Sequence, residues 1–228
     1  AHYRLSGQIT GPVCSLAKTL RSTFSIKDLG PGESMLATAR IIDPCYWTSR
    51  NPMMYQAQVQ LVGPDNSIVD NVTTEFGIRD LECRSTSFYW DSRRWVLRAV
   101  EHPSDSSEEA AAICRDLSAA LAVTEVTKQI GQWSARHGVV LSVWVDSEAR
   151  LTPGVQRRLA SIPSVAFCVL PANVPSDKIH TPTNVLYGHR LTPQDSNLQS
   201  WAQFVVVRVE HVEVLLEEVH AFALPVVV

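Results

Sequence analysis

Apolar and polar positions alternate with a period of two along most of the first 90 residues, the repeat of a strand with one buried face. Six segments carry it: residues 3–10, 20–26, 35–42, 54–62, 68–76 and 78–83. Between two of them lies Gly63-Pro64-Asp65-Asn66, in which proline fixes φ while aspartate and asparagine tolerate turn conformations. No helical period of about ten residues interrupts this stretch. Short antiparallel strands with such turns close most simply into a compact β-sandwich of about six or seven strands.

The pattern changes near residue 90. From Arg94 onward, apolar runs of strand length fall at residues 95–100, 120–123, 139–145, 165–170, 184–187, 204–209 and 224–228. Helical segments lie between most of them. Ser106 precedes Glu109 by three positions, a capping box, and Ala110, Ile113, Cys114, Leu117 and Leu121 then share one helical face. Val126, Ile130 and Trp133 form a second face, closed by Gly138 at a helix C-cap. Thr152-Pro153 reads as an N-cap followed by proline at the first helical position. Val212, Leu215, Leu216 and Val219 make a last apolar stripe. Strands apolar on both faces, alternating with helices, predict a parallel sheet covered on both sides. Seven such strands predict a barrel that lacks its eighth. The expected domains are residues 1–88, antiparallel β, and 89–228, an incomplete (β/α) barrel.

Composition narrows the classes of function. Of 228 residues, 45% are hydrophobic and 19% charged, which supports a folded core, and the net charge of −3 supplies no basic stripe for nucleic acid. No apolar run approaches the ~20 residues of a membrane helix, so no membrane partner is expected. The start Ala1-His2-Tyr3-Arg4 has no signal-peptide pattern, and alanine is not an initiator residue, so residues upstream are an open expectation. The five cysteines, Cys14, Cys45, Cys83, Cys114 and Cys168, show no C-x-x-C spacing and read as buried, reduced thiols. Together these features point toward a soluble protein of a reducing compartment such as the cytoplasm. No glycine-rich phosphate loop follows any strand, and no His/Cys/Asp cluster has metal-ligand spacing, so no cofactor or metal is expected.

Five stretches, in order, carry a resemblance. Trp47 followed by Asn51-Pro52-Met53-Met54-Tyr55 is similar to a W-x-x-x-N-P-x-L-Y segment, and Thr73-Thr74-Glu75-Phe76-Gly77-Ile78-Arg79 to a T-x-x-F-G-F-R strand. Arg94-Trp95-Val96-Leu97-Arg98-Ala99-Val100 is similar to R-x-x-L-R-G-V, His137-Gly138-Val139-Val140-Leu141 to a G-I-L-V strand, and Ile162-Pro163-Ser164-Val165 to H-P-S-V. These motifs occur in this order in family 2 glycoside hydrolases, the family of β-galactosidases and β-glucuronidases, which this chain therefore resembles. The resemblance implies an immunoglobulin-like β-sandwich followed by a truncated, degenerate (β/α) barrel.

The same resemblance implies where the chemistry belongs. Glycoside hydrolysis uses two carboxyl groups, one protonating the leaving oxygen and one attacking or activating water, and barrel enzymes carry such groups at the carboxyl ends of strands. The family's acid/base glutamate follows the fourth strand in a G-N-E triplet. Here that stretch is Val169-Leu170-Pro171-Ala172-Asn173-Val174-Pro175, with Asn173 matching the asparagine and Val174 in the glutamate's place. Valine cannot donate a proton. The nucleophile belongs after the seventh strand, where this sequence stops at Val228, and the family's N-terminal jelly roll has no counterpart. The expectation is a noncatalytic binding or structural module; the alternative is that the sequence is part of a longer protein. Open edges on an incomplete barrel would recruit a second copy or a partner segment.

Other constellations deserve an expectation each. Glu101, Glu125, Asp146, Glu148 and Glu210 follow predicted strands, and the best relocated acid/base pair is Glu101 with Asp146 or Glu148; against it stands the ordinary role of such residues as solvated or helix-start charges. Trp144, with His102 and Asn173, would form a carbohydrate-binding rim, since aromatic rings stack on sugar faces; Trp90 and Trp95 offer further rings, and packing is their alternative role. Cys168 and His189 lie on adjacent strands, but a thiol inside an apolar strand is inert.

Overall fold

A computed structural model describes residues 2–32, 35–101, 108–171, 173–179, 184–194, 197–215, 217 and 221–228, with the side chains of Glu101 and 108–110 left aside. The capping residue Ser106, the side chain of Glu109, and Leu216 and Val219 of the last stripe lie outside the described residues. The chain divides into two compact units: Ala1–Trp47 with Asn51–Ile78, and Thr48–Arg50 with Arg79–Val228.

The first unit is antiparallel. It contains β1 (Arg4–Val13), β2 (Ser22–Asp28), β3 (Ala37–Ala39), β4 (Met54–Val62) and β5 (Ile68–Phe76), in the spatial order β3-β2-β1-β4-β5. The β4–β5 turn forms as its residues require: Asn66 takes φ 64° and donates its N–H to the Gly63 carbonyl at 3.0 Å, while the Asp65 carboxylate accepts from the Ser67 hydroxyl at 2.6 Å. Ile9, Trp47, Met54, Tyr55 and Val62 are buried, and Tyr55 stacks on Phe76 at 5.7 Å. The Tyr55 hydroxyl oxygen accepts the Cys45 N–H at 2.8 Å.

The second unit opens with an antiparallel meander, β6 (Leu81–Arg84), β7 (Ser87–Trp90) and β8 (Arg93–Trp95). The strand expected at 78–83 as the last of the first domain therefore pairs in this meander instead. The reason is aromatic packing. Phe88 meets the edges of Phe167 and Phe204 at 5.4 Å each, Trp95 stacks on Phe167 at 5.6 Å, and Trp90 abuts Trp95 at 5.5 Å. The run expected at 95–100 is accordingly split, with Trp95 held in the meander and a new strand starting at Ala99.

Seven parallel strands follow in chain order: β9 (Ala99–Glu101), β10 (Ala120–Val123), β11 (Val140–Trp144), β12 (Val165–Pro171), β13 (Leu186–Leu191), β14 (Phe204–Val207) and β15 (Val226–Val227). Each pairs with the next, giving a curled half-barrel, so the two-part architecture of antiparallel β and an incomplete parallel barrel is the one observed. Helices α1 (Glu108–Asp116), α2 (Lys128–His137) and α3 (Pro153–Ser161) lie between the early strands. The caps expected at Thr152 and Gly138 form: Thr152 accepts from Val155 N, and Gly138 closes α2 at φ 70°, a left-handed conformation that glycine adopts without strain, while Thr127, which the pattern does not single out, caps α2 by accepting from Ile130 N.

Arg79 anchors the start of this unit. Its guanidinium donates to the carbonyls of Pro163 at 2.5 Å and Val165 at 2.6 Å, and to that of Asn184. These groups lie at the amino ends of β12 and β13, where parallel strands leave carbonyls unpaired. Desolvation lowers its pKa to about 9, so it remains charged at neutral pH. Arg79→Met should lower unfolding free energy by about 2–4 kcal/mol, since three acceptors lose a charged donor, and Arg79→Lys should recover only part of it. Urea denaturation of both variants against wild type measures this, and a Met variant as stable as wild type would remove the anchoring role.

Candidate functional site

Side-chain alternation assigns each strand two faces. Leu141, Val143 and Val145 of the β11 segment, Val165, Cys168 and Leu170 of β12, and Val185 and Tyr187 near β13 share a buried cluster with the helix residues Leu159, Ile130 and Trp133. That is the outer, helix-covered face. A register irregularity between Leu141 and Ser142 absorbs Ala166, so the outer sequence passes from Val165 to Cys168. The residues between these point to the concave face: Ser142 and Trp144, then Phe167, Val169 and Pro171, then Gly188 and Arg190, then Phe204 and Val206.

The amino-terminal half of this concave face is filled. Phe167 and Phe204 receive the meander's Phe88 and Trp95, so Trp90 and Trp95 pack a plug and do not line a sugar site. Gly188 is part of the same fit, because a Cβ there would lie 2.3 Å from the Phe204 ring. The carboxyl-terminal half carries the candidate side chains. Trp144 pairs with Val169, Val169 with Gly188, and Pro171 with Arg190. Two strand spacings across and one pleat repeat along the strand separate the Trp144 and Arg190 backbones by about 12 Å.

Trp144 is half-buried, and among the described residues nothing accepts from its enclosed indole Nε1–H. Arg190 is also half-buried, and no ion pair to it is present among the described residues. The sequence pattern ends this apolar run at Tyr187 and so passes over Arg190. The strand continues to Leu191, and the alternation Leu186, Gly188, Arg190 was the available signal.

The remaining candidates separate. The backbone of Glu101 ends β9, but its side chain, like all of His102, lies outside the described residues. Asp146 is exposed and sits 3.9 Å from Arg150, while Glu148 is bound to Lys178 at 2.7 Å. Glu210 is exposed beside Arg208 at 3.5 Å. Cys168 and His189 both face the outer layer; burial pushes the Cys168 thiol up to about 12, far from nucleophilic thiolate. All five cysteines are free, but only Cys114 and Cys168 are buried as expected; Cys45, in a loop, is exposed, and Cys14 and Cys83 are half-buried.

At the position implied for the acid/base group, two side chains go opposite ways. Val174 is 1% exposed in the outer cluster, and its carbonyl accepts the Trp201 Nε1–H at 3.0 Å. Asn173 is exposed. Neither carries an ionisable proton. Among the described residues, no group of three or more His, Cys, Asp or Glu could hold a metal ion, and no helix is long and apolar enough to cross a membrane.

Comparison with known proteins bears on this arrangement. The family model described as "Glycosyl hydrolases family 2" matches residues 1–79. Bifidobacterium dentium β-glucuronidase, complexed with coumarin-3-O-glucuronide, superposes with a TM-score of 0.66 at 13% identity, covering 98% of this chain and 46% of that one. The Eisenbergiella tayi GH2 β-galacturonidase bound to galacturonate gives 0.62 at 12% identity, over 98% and 50%. Parabacteroides merdae β-glucuronidase gives 0.59 at 11%, over 91% of this chain and 32% of its own, so the chain spans about a third of that enzyme's length. No curated protein matches the sequence. The chain thus resembles family 2 glycoside hydrolases by sequence over residues 1–79 and by fold over nearly all of its length.

The opposed environments of Asn173 and Val174 yield a direct expectation. Val174→Glu buries a carboxylate among apolar side chains and should cost about 3 kcal/mol or more of stability. Asn173→Glu should stay within about 0.5 kcal/mol of wild type. Paired denaturation curves decide it, and equal losses for the two variants would contradict the assignment of their faces.

Proposed function

We propose that this chain is a family 2 glycoside hydrolase-like module that binds carbohydrate without hydrolysing it. The observation that carries this is Val174, which stands in the place of the family's acid/base glutamate and is buried in the core, beside an exposed amide, Asn173. Proton donation to a leaving oxygen needs an ionisable group at that rim. Asp146 and Glu148, the described carboxylates nearest to such a role in sequence, face Arg150 and Lys178 respectively.

Binding is supported by what the concave rim retains. Trp144 offers a partly exposed ring for stacking on a sugar face, and Arg190 offers a cation whose planar donors match a carboxylate. The B. dentium enzyme is complexed with a glucuronide and the E. tayi enzyme is bound to galacturonate, both sugars with a carboxylate. A uronic acid residue is therefore the ligand best suited to the pairing of Trp144 with Arg190. Among the described residues, the outer strands of the parallel sheet, β9 and β15, each have a strand partner on one side. Such edges favour a further strand from a second copy or a partner, so the module is expected to self-associate.

Titration with galacturonate or glucuronate should quench tryptophan fluorescence. Trp144→Ala should weaken binding roughly tenfold or more, and Arg190→Met should do so for uronates more than for neutral sugars. 4-Nitrophenyl β-D-glucuronide and β-D-galactoside should not be turned over. Hydrolysis that disappears in Asp146→Asn or Glu148→Gln would replace this proposal with an enzyme using relocated carboxylates. Light scattering across a concentration series tests self-association, and a monomer at every concentration would sink it.

A further inference from the structure

The outer layer of the half-barrel holds a second cavity, separate from the concave rim. It lies over the helix-facing side of β11, between the loop that leads from β10 into α2 and the helix α3, and its volume is about 360 Å³. Its floor is apolar: Val143, Val145 and Leu159 are buried, and Val155 forms a half-buried wall. Its mouth is polar and uneven in charge. Thr124 and Glu125 stand on the loop side, and Arg150 and Arg158 on the side of α3.

A space of this size, open to solvent at its mouth, has room for about twelve waters at ~30 Å³ each. It falls at the lower end of small-molecule sites, which are mostly apolar with a few polar groups at fixed positions. The polar groups here select a sign. Two guanidinium groups outnumber one carboxylate, and they share one side of the opening. Arg158 is exposed, with no ion pair among the described residues, and Arg150 is engaged only through an exposed 3.9 Å contact to Asp146, which an incoming anion can exchange at little cost. Glu125 across the mouth repels the same anion and directs it to the arginine side.

We infer that this groove binds a small amphipathic anion, a carboxylate on an unbranched apolar tail, with the tail over Val143, Val145 and Leu159 and the carboxylate between Arg150 and Arg158. Both halves of the ligand are required. Acetate lacks the tail, and the alcohol of equal length lacks the charge.

The test is calorimetric titration of the folded chain with octanoate, with acetate and 1-octanol as parallel arms. Octanoate should bind measurably, with the other two at least tenfold weaker. Arg158→Gln, an exposed change that leaves the core intact, should weaken octanoate roughly five- to tenfold and leave 1-octanol unchanged. Val155→Trp, which fills the groove, should abolish octanoate binding, with the melting transition confirming that the variant is folded. The inference is overturned by absence of octanoate binding, by acetate or 1-octanol binding equally well, or by an affinity indifferent to Arg158→Gln. None of these outcomes bears on saccharide binding at Trp144, so the two sites are tested independently.

Discussion

A parallel sheet has two apolar faces, and each must be covered before the sheet is stable in water. In the second unit that requirement is met asymmetrically. Helices cover the convex side, and a cluster of five rings, Phe88, Trp90, Trp95, Phe167 and Phe204, covers the amino-terminal half of the concave side. Each such ring removes some 150–250 Å² from water, so the plug is a large part of the unit's core. Its existence explains why Trp95 is not part of the first barrel strand and why, Ser142 apart, the polar side chains named on the concave face sit at the carboxyl-terminal rim.

The rim gathers the polar side chains that the aromatic cluster leaves uncovered. In a barrel built this way, reacting groups sit where strands end. Here the strand ends present an indole, an arginine and an amide. Their side chains offer a ring, a guanidinium cation, and a neutral amide donor and acceptor. Val174 adds a structural reason for the arrangement, since its side chain and carbonyl are both used to hold Trp201 and the outer layer together. The residue that follows Asn173 has been taken into the core.

Much of the fold was legible because period and punctuation agree. The strands at 54–62 and 68–76, the caps Thr152 and Gly138, and the order of the barrel strands all follow from local pattern. What local pattern missed depends on distant partners. The meander's membership is set by Phe167 and Phe204, some 80 to 120 residues away, and the role of Arg79 by carbonyls of Pro163, Val165 and Asn184. Arg190 was hidden for a different reason. Gly188 and His189 break the apolar run, so the strand's last turn of alternation looked like loop. At the site, Trp144 was found from its position at a strand end, whereas the ion pairs of Asp146 and Glu148 required coordinates.

The absent side chain at Gly188 has a geometric corollary. The Phe204 ring occupies the volume that a β-carbon would claim, and so it lies low against the sheet. From there it meets Phe88 and Phe167 edge-on, at 5.4 and 5.7 Å. Any larger residue at 188 would push the ring toward those two neighbours. The closeness of the whole aromatic stack to its sheet is thus written in one missing atom.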